Sequence, residues 1–470
     1  MSMMARQGAL RDLGSARQMG RFVLLCLGVW LHAADSLVVA TIAPAIVGDI
    51  GGLPYLGWTI SLYQIGAIVA GAATARLIGR IGMKRVQLLG ALAYGVGCAI
   101  AALAPDIAFL LAARLVQGAG GGMLLSLSYV AVQRSFPEPL WGRLFGVVAT
   151  IWGCGSLLGP LIGGVFADLG AWRLAFWFFA LQAGLLAALV AALLSAPSLD
   201  KTARGRLQLG PLWILVAATL LVAHASVART PAASAFACLL ALGLLYVAAR
   251  WDRRSAAPLL PIETVNLGDP VGNGLLMVLA LAAGTTGFWA YGPLLLKILF
   301  NVDPLVSGYI LAGESLAWSA ASLAVANMPP RADAALIRGG VGFVAICAAG
   351  FAAAAPAGTL LGLMACAVAQ GSGFGLCWPS IVRRIVQCAG EGERDLAAAA
   401  PDTIQKIGYA LGASAVGIAA NLSGLADGVS AGAAKAAGFW IFASFIPLLM
   451  AGLFCAWRFT ASSASRASQP

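Results

Sequence analysis

The chain has 470 residues, of which 61% are hydrophobic and only 10% charged, and its mean hydropathy is +0.91. Soluble domains carry roughly a quarter charged residues, so this composition cannot cover a water-facing surface and fits a protein whose exterior is lipid. The net charge of +11 would elsewhere suggest a nucleic-acid partner; here the position of the basic residues relative to the apolar segments decides its meaning.

The amino end carries Arg6, Arg11, Arg17 and Arg21, followed by an apolar run over residues 21–46. That run exceeds the roughly 7–15 residues of a signal-peptide core, and many similar runs follow, so it reads as a retained first helix. A bilayer core about 30 Å thick needs about 20 apolar residues as helix. Fourteen segments qualify: 21–46, 54–78, 86–104, 107–132, 144–167, 174–195, 211–228, 232–249, 270–299, 304–327, 337–355, 357–382, 399–420 and 436–457. Backbone groups in lipid must be satisfied internally, and the runs are continuously apolar rather than alternating, which excludes a β-barrel. The predicted fold class is an all-α polytopic membrane protein with fourteen transmembrane helices.

With the amino terminus placed in the cytoplasm, 24 of the 29 Lys and Arg residues fall on the cytoplasmic side. Arg173, Arg229, Lys297 and Lys435 fall outside, and Arg114 lies within a span. This asymmetry supports the count and puts both termini in the cytoplasm. The basic charge is therefore topology, with no nucleic-acid partner expected. The longest polar connections, 196–210, 250–269 and 383–398, are all on the cytoplasmic side, and the first two flank spans seven and eight. The expected division is a tail over 1–20, a six-helix half over 21–195, a linker with two extra helices over 196–269, a second six-helix half over 270–457, and a tail over 458–470.

Five sequence patterns carry chemistry. Between spans two and three stands Gly79-Arg80-Ile81-Gly82-Met83-Lys84-Arg85, a glycine turn that with Arg76 just before it carries four basic residues. Span four contains Arg114-Leu115-Val116-Gln117-Gly118-Ala119-Gly120. An intramembrane arginine is costly and should face the bundle interior with a partner; Gln117, three residues on, shares its face. Span five reads Gly155-Ser156-Leu157-Leu158-Gly159-Pro160-Leu161-Ile162-Gly163-Gly164, a small-residue ridge where another helix can approach closely, with a proline that can kink it. Span one carries Asp35 followed by Ala43-Pro44, and Trp172-Arg173 with Phe176 follows span five.

These patterns resemble, in order, the D-R-x-G-R-K-R loop, the R-x-x-Q-G-x-G motif, the G-x-x-x-G-P-x-x-G-G antiporter signature, the D-x-x-x-x-x-x-A-x-P element and the W-R-x-x-F element of the major facilitator superfamily. The departures are Gly79 for the loop's aspartate, Ala75 for its first glycine and Ala40 for the usual asparagine of span one. The resemblance is to the fourteen-helix drug:proton antiporters. It lies almost wholly in the first 180 or so residues, with a looser likeness around Gln405, Gly408 and Gly412. It implies two six-helix halves, membrane carboxylates in spans one and ten, and a gate and hinge formed by Arg80, Gly82, Lys84, Arg85, Gly155, Gly159, Pro160, Gly163 and Gly164.

Depth arithmetic narrows the membrane charges. At about 1.5 Å per residue, Asp35 lies about 21 Å from the cytoplasmic start of span one and Arg114 about 10 Å from the outer start of span four. In a core of about 30 Å the two share a level and can pair. Asp35 and Arg114 are the candidates for proton coupling. Glu314, about 15 Å into span ten, lies at the midplane where substrates of two-half transporters bind, and Trp318 shares its face. A carboxylate beside an aromatic ring suits a lipophilic cation. Glu314, Trp318 and Gln117 are the candidate substrate contacts, although a glutamate bonded to a polar neighbour is the alternative for Glu314. His32 and His224 read as packing residues, and Lys297 as snorkelling.

Nine cysteines, with no C-x-x-C pair, and two histidines offer no metal site or disulfide framework. No Walker A sequence is present, so ATP-driven export is unsupported; no soluble catalytic constellation appears, and no cofactor and no enzymatic activity are expected. The expected partners are a small-molecule substrate, protons and the lipid bilayer, with the protein a monomer in a bacterial plasma membrane. The leading function is proton-coupled export of hydrophobic or cationic drugs; export of an endogenous metabolite and a non-transporting membrane sensor are the alternatives.

Overall fold

A computed structural model describes residues 16–194, 209–228, 230–255, 258–390, 393–428 and 430–466. Most of the 196–210 connection and the ends of both tails, with Arg6, Arg11, Lys201, Arg204, Arg206 and Arg229, lie outside the described residues.

Among the described residues every regular element is helical. The first six helices are α1 (Ala16–Ile50), α2 (Leu56–Ile81), α3 (Met83–Ala102), α4 (Ile107–Ser135), α5 (Glu138–Asp168) and α6 (Trp172–Leu193). A pair follows, α7 (Leu209–Ser226) and α8 (Pro231–Arg253). The second group comprises α9 (Pro270–Phe300), α10 (Pro304–Val325), α11 (Asp333–Ala357), α12 (Leu360–Cys388), α13 (Arg394–Leu422), α14 (Ala431–Ala443) and α15 (Ile446–Arg466). The last span is thus two helices rather than one. Proline lacks an N–H and its ring clashes with the carbonyl four residues earlier; for Pro447 that residue is Ala443, where α14 stops. Counted as rods, α14 and α15 form one continuous apolar stretch over Ala431–Ala461, giving fourteen rods among the described residues. The ends where α1 begins and α15 finishes therefore share one end of the bundle, called here the terminal end; the opposite is the far end.

Among the described residues eleven rods are long and apolar enough to cross a bilayer, and α7 is a shorter apolar helix. The two remaining rods, α10 and α13, are more polar because they carry Glu314, and Asp402, Gln405 and Lys406, respectively. Helices also run further into the connections than their apolar cores suggest. The polar stretch 383–398 shrinks to residues 389–393 between α12 and α13. Lys406, counted with the basic residues of that cytoplasmic connection, stands twelve residues inside α13. The charge rule assigned it to the nearest loop, but the helix simply extends beneath it.

In the first group, α1 packs on α4, α5 and α6, α2 on α4, and α3 on α4 and α6. In the second, α9 packs on α13 and α15, α11 on α12, α14 and α15, and α10 on α12. The two halves meet along two seams, α5 against α10 and α2 against α13. The α7–α8 pair rides on the second seam, with α7 touching both α13 and α2. Phe236, Leu239, Leu242 and Tyr246 of α8 are exposed, as suits a lipid-facing surface.

Candidate functional site

The interior of the first half holds a closed polar triangle. Arg114 of α4 donates from Nη1 to Asp35 Oδ2 of α1 at 2.8 Å and to Gln117 Oε1 at 2.7 Å. Gln117 donates from Nε2 to Asp35 Oδ1 at 2.8 Å and to Cys98 Sγ of α3 at 3.0 Å. Arg114 Nε donates to the Thr59 carbonyl of α2 at 3.2 Å. Asp35 is 0% and Arg114 1% exposed, so both charges are withdrawn from water and each finds its counter-charge in the other. An unpaired charge here would cost several kcal/mol, about 3–5 when one partner of a buried pair is removed. The depth match between Asp35 and Arg114 thus corresponds to a direct contact. Gln117, expected among the substrate contacts, instead spends its amide on the triangle and has no exposed surface; its place one turn from Arg114 points it inward at Asp35.

Beside the triangle lies a pair of which the sequence reading left His32 as packing and did not single out Tyr63. The Arg114 guanidinium sits over the Tyr63 ring of α2, 4.2 Å from its centroid. The Tyr63 hydroxyl hydrogen-bonds His32 Nδ1 of α1 at 2.8 Å. His32 stacks on Tyr63 with centroids 5.5 Å apart and meets Trp152 of α5 edge-on at 5.7 Å. His32, one position short of a full turn before Asp35, therefore belongs to the same polar layer. Helix periodicity alone cannot reveal this, because the contact depends on how α1 crosses α2.

The second half is arranged differently. Glu314 of α10 accepts one hydrogen bond, from Gln370 Nε2 of α12 at 2.7 Å, and retains some exposure. Trp318, one turn on, packs on Phe374 with centroids 4.6 Å apart, and Phe374 in turn touches Trp378 at 5.5 Å. A half-buried carboxylate beside an aromatic cluster can hold a lipophilic cation by charge and by π-face attraction. Gln370, like Cys98, was not singled out in the sequence; a glutamine in an apolar span was its only signal.

The glycines of span five divide between two neighbours. A side chain at Gly155 would strike Ala33 Cβ of α1 at 2.6 Å, and those at Gly159 and Gly163 would strike the Ala34 carbonyl and the Thr41 hydroxyl. Gly164 faces the other way, with a Cβ there 2.9 Å from Leu305 Cα of α10. Gly308 of α10 returns the contact, a Cβ there lying 2.5 Å from the Pro160 carbonyl. The ridge thus lets α5 touch α1 within its own half and α10 across the seam.

The basic loop is a one-residue joint. Gly82, at φ 83° and ψ 156°, ends α2 and starts α3, a backbone region essentially reserved for glycine. Lys84 reaches the carboxy-terminal end of α6, donating to the Ala191 carbonyl at 2.8 Å and the Leu194 carbonyl at 2.5 Å, where free carbonyls favour a cation. Arg80 and Arg85 remain exposed. At the far end, Trp172 Nε1 donates to Asp49 Oδ2 at 3.1 Å, Arg173 pairs with the same carboxylate and also reaches the Ala104 carbonyl at 3.0 Å. Lys297 is exposed and donates to Asn301 Oδ1 at 2.9 Å.

Hydrogen bonds between the halves gather toward the far end. Ser61 of α2 donates to the Ala410 carbonyl of α13 at 2.7 Å and meets Ser414 Oγ at 2.8 Å. Asn421 of α13 donates to the Pro54 carbonyl at 2.9 Å and the Ser226 carbonyl of α7 at 2.7 Å. Trp58 of α2 donates to Ser226 Oγ at 3.0 Å. A cavity of about 180 Å³ lies beside this region, lined by residues including Thr41, Pro44, Pro293, Lys297 and Ser307.

Two helical halves around buried intramembrane charges, joined along two seams, have the architecture of a membrane transporter. Residues 25–413 match the Major Facilitator Superfamily, and the chain belongs to that family. A probable multidrug-efflux transporter of Mycobacterium tuberculosis is 29% identical over 471 residues, covering 96% of this chain and 97% of the relative. A multidrug efflux pump of Staphylococcus aureus is 24% identical over 297 residues, 63% of this chain and 66% of its own length. Among solved structures, a D-xylose–proton symporter superposes with a TM-score of 0.66 at 16% identity, covering 94% of this chain and 97% of its own. A nucleoside transporter does so with 0.64 at 11%, covering 94% and 99%. At these identities the structural likeness speaks for the fold.

Proposed function

We propose that this transporter is a proton-coupled antiporter that exports hydrophobic and cationic small molecules by alternating access. It works as a monomer in a bacterial plasma membrane, with both termini in the cytoplasm. Its working units are the halves 21–195 and 270–457, with 196–269 an inserted linker. Arg80, Gly82, Lys84 and Arg85 form its gate and the span-five glycines with Pro160 its hinge.

The observation that carries this reading is the Asp35–Arg114–Gln117 triangle, wholly buried in one half while the half-exposed Glu314 stands in the other. A carboxylate held only by a neighbouring arginine and amide takes up a proton when that geometry opens and releases it when the pair closes, because the charged form is favoured only with its partner in place. Separating that switch from the substrate carboxylate lets one half handle the proton while the other handles the cargo. The Mycobacterium tuberculosis and Staphylococcus aureus relatives, named for multidrug efflux, agree with a cargo that is broad and apolar.

The test is transport in vesicles reconstituted with the full chain, using a cationic dye and an imposed pH gradient. Proton counterflow on adding dye is the expected result, and Asp35→Asn should abolish gradient-driven transport while dye binding persists. Gradient-driven transport by that variant at the normal rate would overturn the assignment of the proton to Asp35. Cysteine labelling of the 250–269 connection from the outside of intact cells would overturn the orientation.

A further inference from the structure

We propose that Lys406, with Asp402 and Tyr409, forms a subsite for an acidic group on the cargo, so that the preferred substrates carry a basic group and a carboxylate together. This rests on the export reading above and names the substrate class more narrowly.

Lys406 is an intramembrane cation. It stands near the middle of the 29-residue helix α13, as Glu314 does in the 22-residue α10, which places the two at comparable depth. A lysine at that depth is costly unless it faces protein or a water-filled space and finds a partner. Its partner is Asp402, one turn away on the same helix, with Nζ 2.6 Å from Oδ2; the lysine is 14% and the aspartate 49% exposed. Asp402, Gln405, Lys406 and Tyr409 share one face of α13 by helical spacing, and Gln405 Nε2 donates to the Tyr409 hydroxyl at 3.2 Å. Trp289 of α9 meets Tyr409 edge-on, centroids 5.5 Å apart.

Packing shows where the face points. Ala410 and Ser414, one and two turns on from Lys406 along the same side of α13, meet Ser61 of α2, and α2 against α13 is one of the two seams. Helix α2 belongs to the first half and α13 to the second, so the stripe faces the space between the halves and not the lipid. Both signs of charge are therefore presented there, a carboxylate on α10 and an ammonium on α13, with Trp289, Trp318 and Tyr409 supplying aromatic surface.

The Asp402–Lys406 pair suits partner exchange. A same-helix pair with a half-exposed carboxylate is weakly held, and Asp402 can turn back to water. The Arg114–Asp35 pair is sealed on all sides and lacks that freedom. An incoming carboxylate can take Asp402's place on Lys406 while the basic group of the same molecule meets Glu314. No bond is made or broken in this exchange.

The experiment measures binding first, since binding does not depend on proton coupling. Rhodamine B and its ethyl ester share one cationic ring system and differ in a free carboxylate against an ester. Fluorescence anisotropy with purified full-length protein should show rhodamine B bound more tightly. Lys406→Met should weaken rhodamine B about tenfold and leave the ester within about twofold. Lys406→Arg should keep the preference, and Asp402→Asn should strengthen it by freeing the ammonium. Equal affinity of the two dyes for the unaltered protein, or equal loss of both in Lys406→Met with Lys406→Arg intact, would overturn the subsite. Vesicle export of the ester is scored separately: its absence counts against the export reading, whereas tight rhodamine B binding lost only in Lys406→Met would still support the subsite.

Discussion

The two halves treat their membrane carboxylates in opposite ways. In the first, Asp35 has both oxygens engaged, by Arg114 and Gln117, and no exposure. In the second, Glu314 has one amide partner, Gln370, and remains accessible. A fully paired charge is part of the packing, and disturbing it disturbs the half that contains it. A carboxylate with one spare oxygen is available to something that comes and goes. The proposed division between a proton switch and a substrate receptor rests on this contrast, which can be broken experimentally at several points.

The largest effect should come from unpairing the sealed charge. Arg114→Ala strands Asp35 and should destabilise the protein by about 3–5 kcal/mol, read as a fall in melting temperature and yield in detergent. Asp35→Asn combined with Arg114→Gln should recover most of that stability without recovering gradient-driven transport. Equal stability of Arg114→Ala and the unaltered protein would mean that the triangle is not a unit.

Next are the glycines of α5, which separate packing within a half from packing across the seam. Gly159→Leu forces α1 from α5 and should abolish transport with some loss of stability, since the obstacle is the Ala34 backbone. Gly164→Leu meets Leu305 of the other half. It should leave each half intact and slow the cycle, measurable as lower turnover at unchanged melting temperature. If the two variants behave alike, the ridge has one role and not two.

Glu314→Gln should cost less than about 1 kcal/mol of stability, because the amide keeps the shape and a hydrogen bond to Gln370 remains possible. Cationic substrates should weaken selectively, with neutral ones spared, in paired transport assays. Uniform weakening of both would remove the assigned distinction between the halves. The smallest effect expected is that of Gln370→Ala, which should alter affinity for cations modestly and leave proton flux unchanged.

Much of this arrangement is legible in the sequence because membrane helices obey simple lengths. A 1.5 Å rise and a 30 Å core, each about that size, are enough to count spans and to bring Asp35 level with Arg114. Spacing of glycines announces close contact, but not that Gly155, Gly159 and Gly163 meet α1 while Gly164 meets α10. The His32–Tyr63 bond is invisible for the same reason: helical period gives a face, and the partner depends on crossing geometry. Lys406 was misplaced because counting basic residues by side assumes that they sit in loops, an assumption that fails for a cation with a task inside the bundle. The break at Ser444 had a local signal in Pro447, which a run of apolar residues obscured.

Ser226 belongs to neither half, yet it accepts one hydrogen bond from Trp58 of the first through its hydroxyl and one from Asn421 of the second through its carbonyl. When the halves separate at the far end, α7 can follow only one of them. Each such bond contributes about 1 kcal/mol net and opening breaks only one of the two, so the bridge biases the far-closed population by about fivefold over a version lacking both. A twelve-helix version of this chain with α7 and α8 removed would then be more than a smaller transporter. Its resting population would shift toward the far-open form, and the cost of that opening would fall.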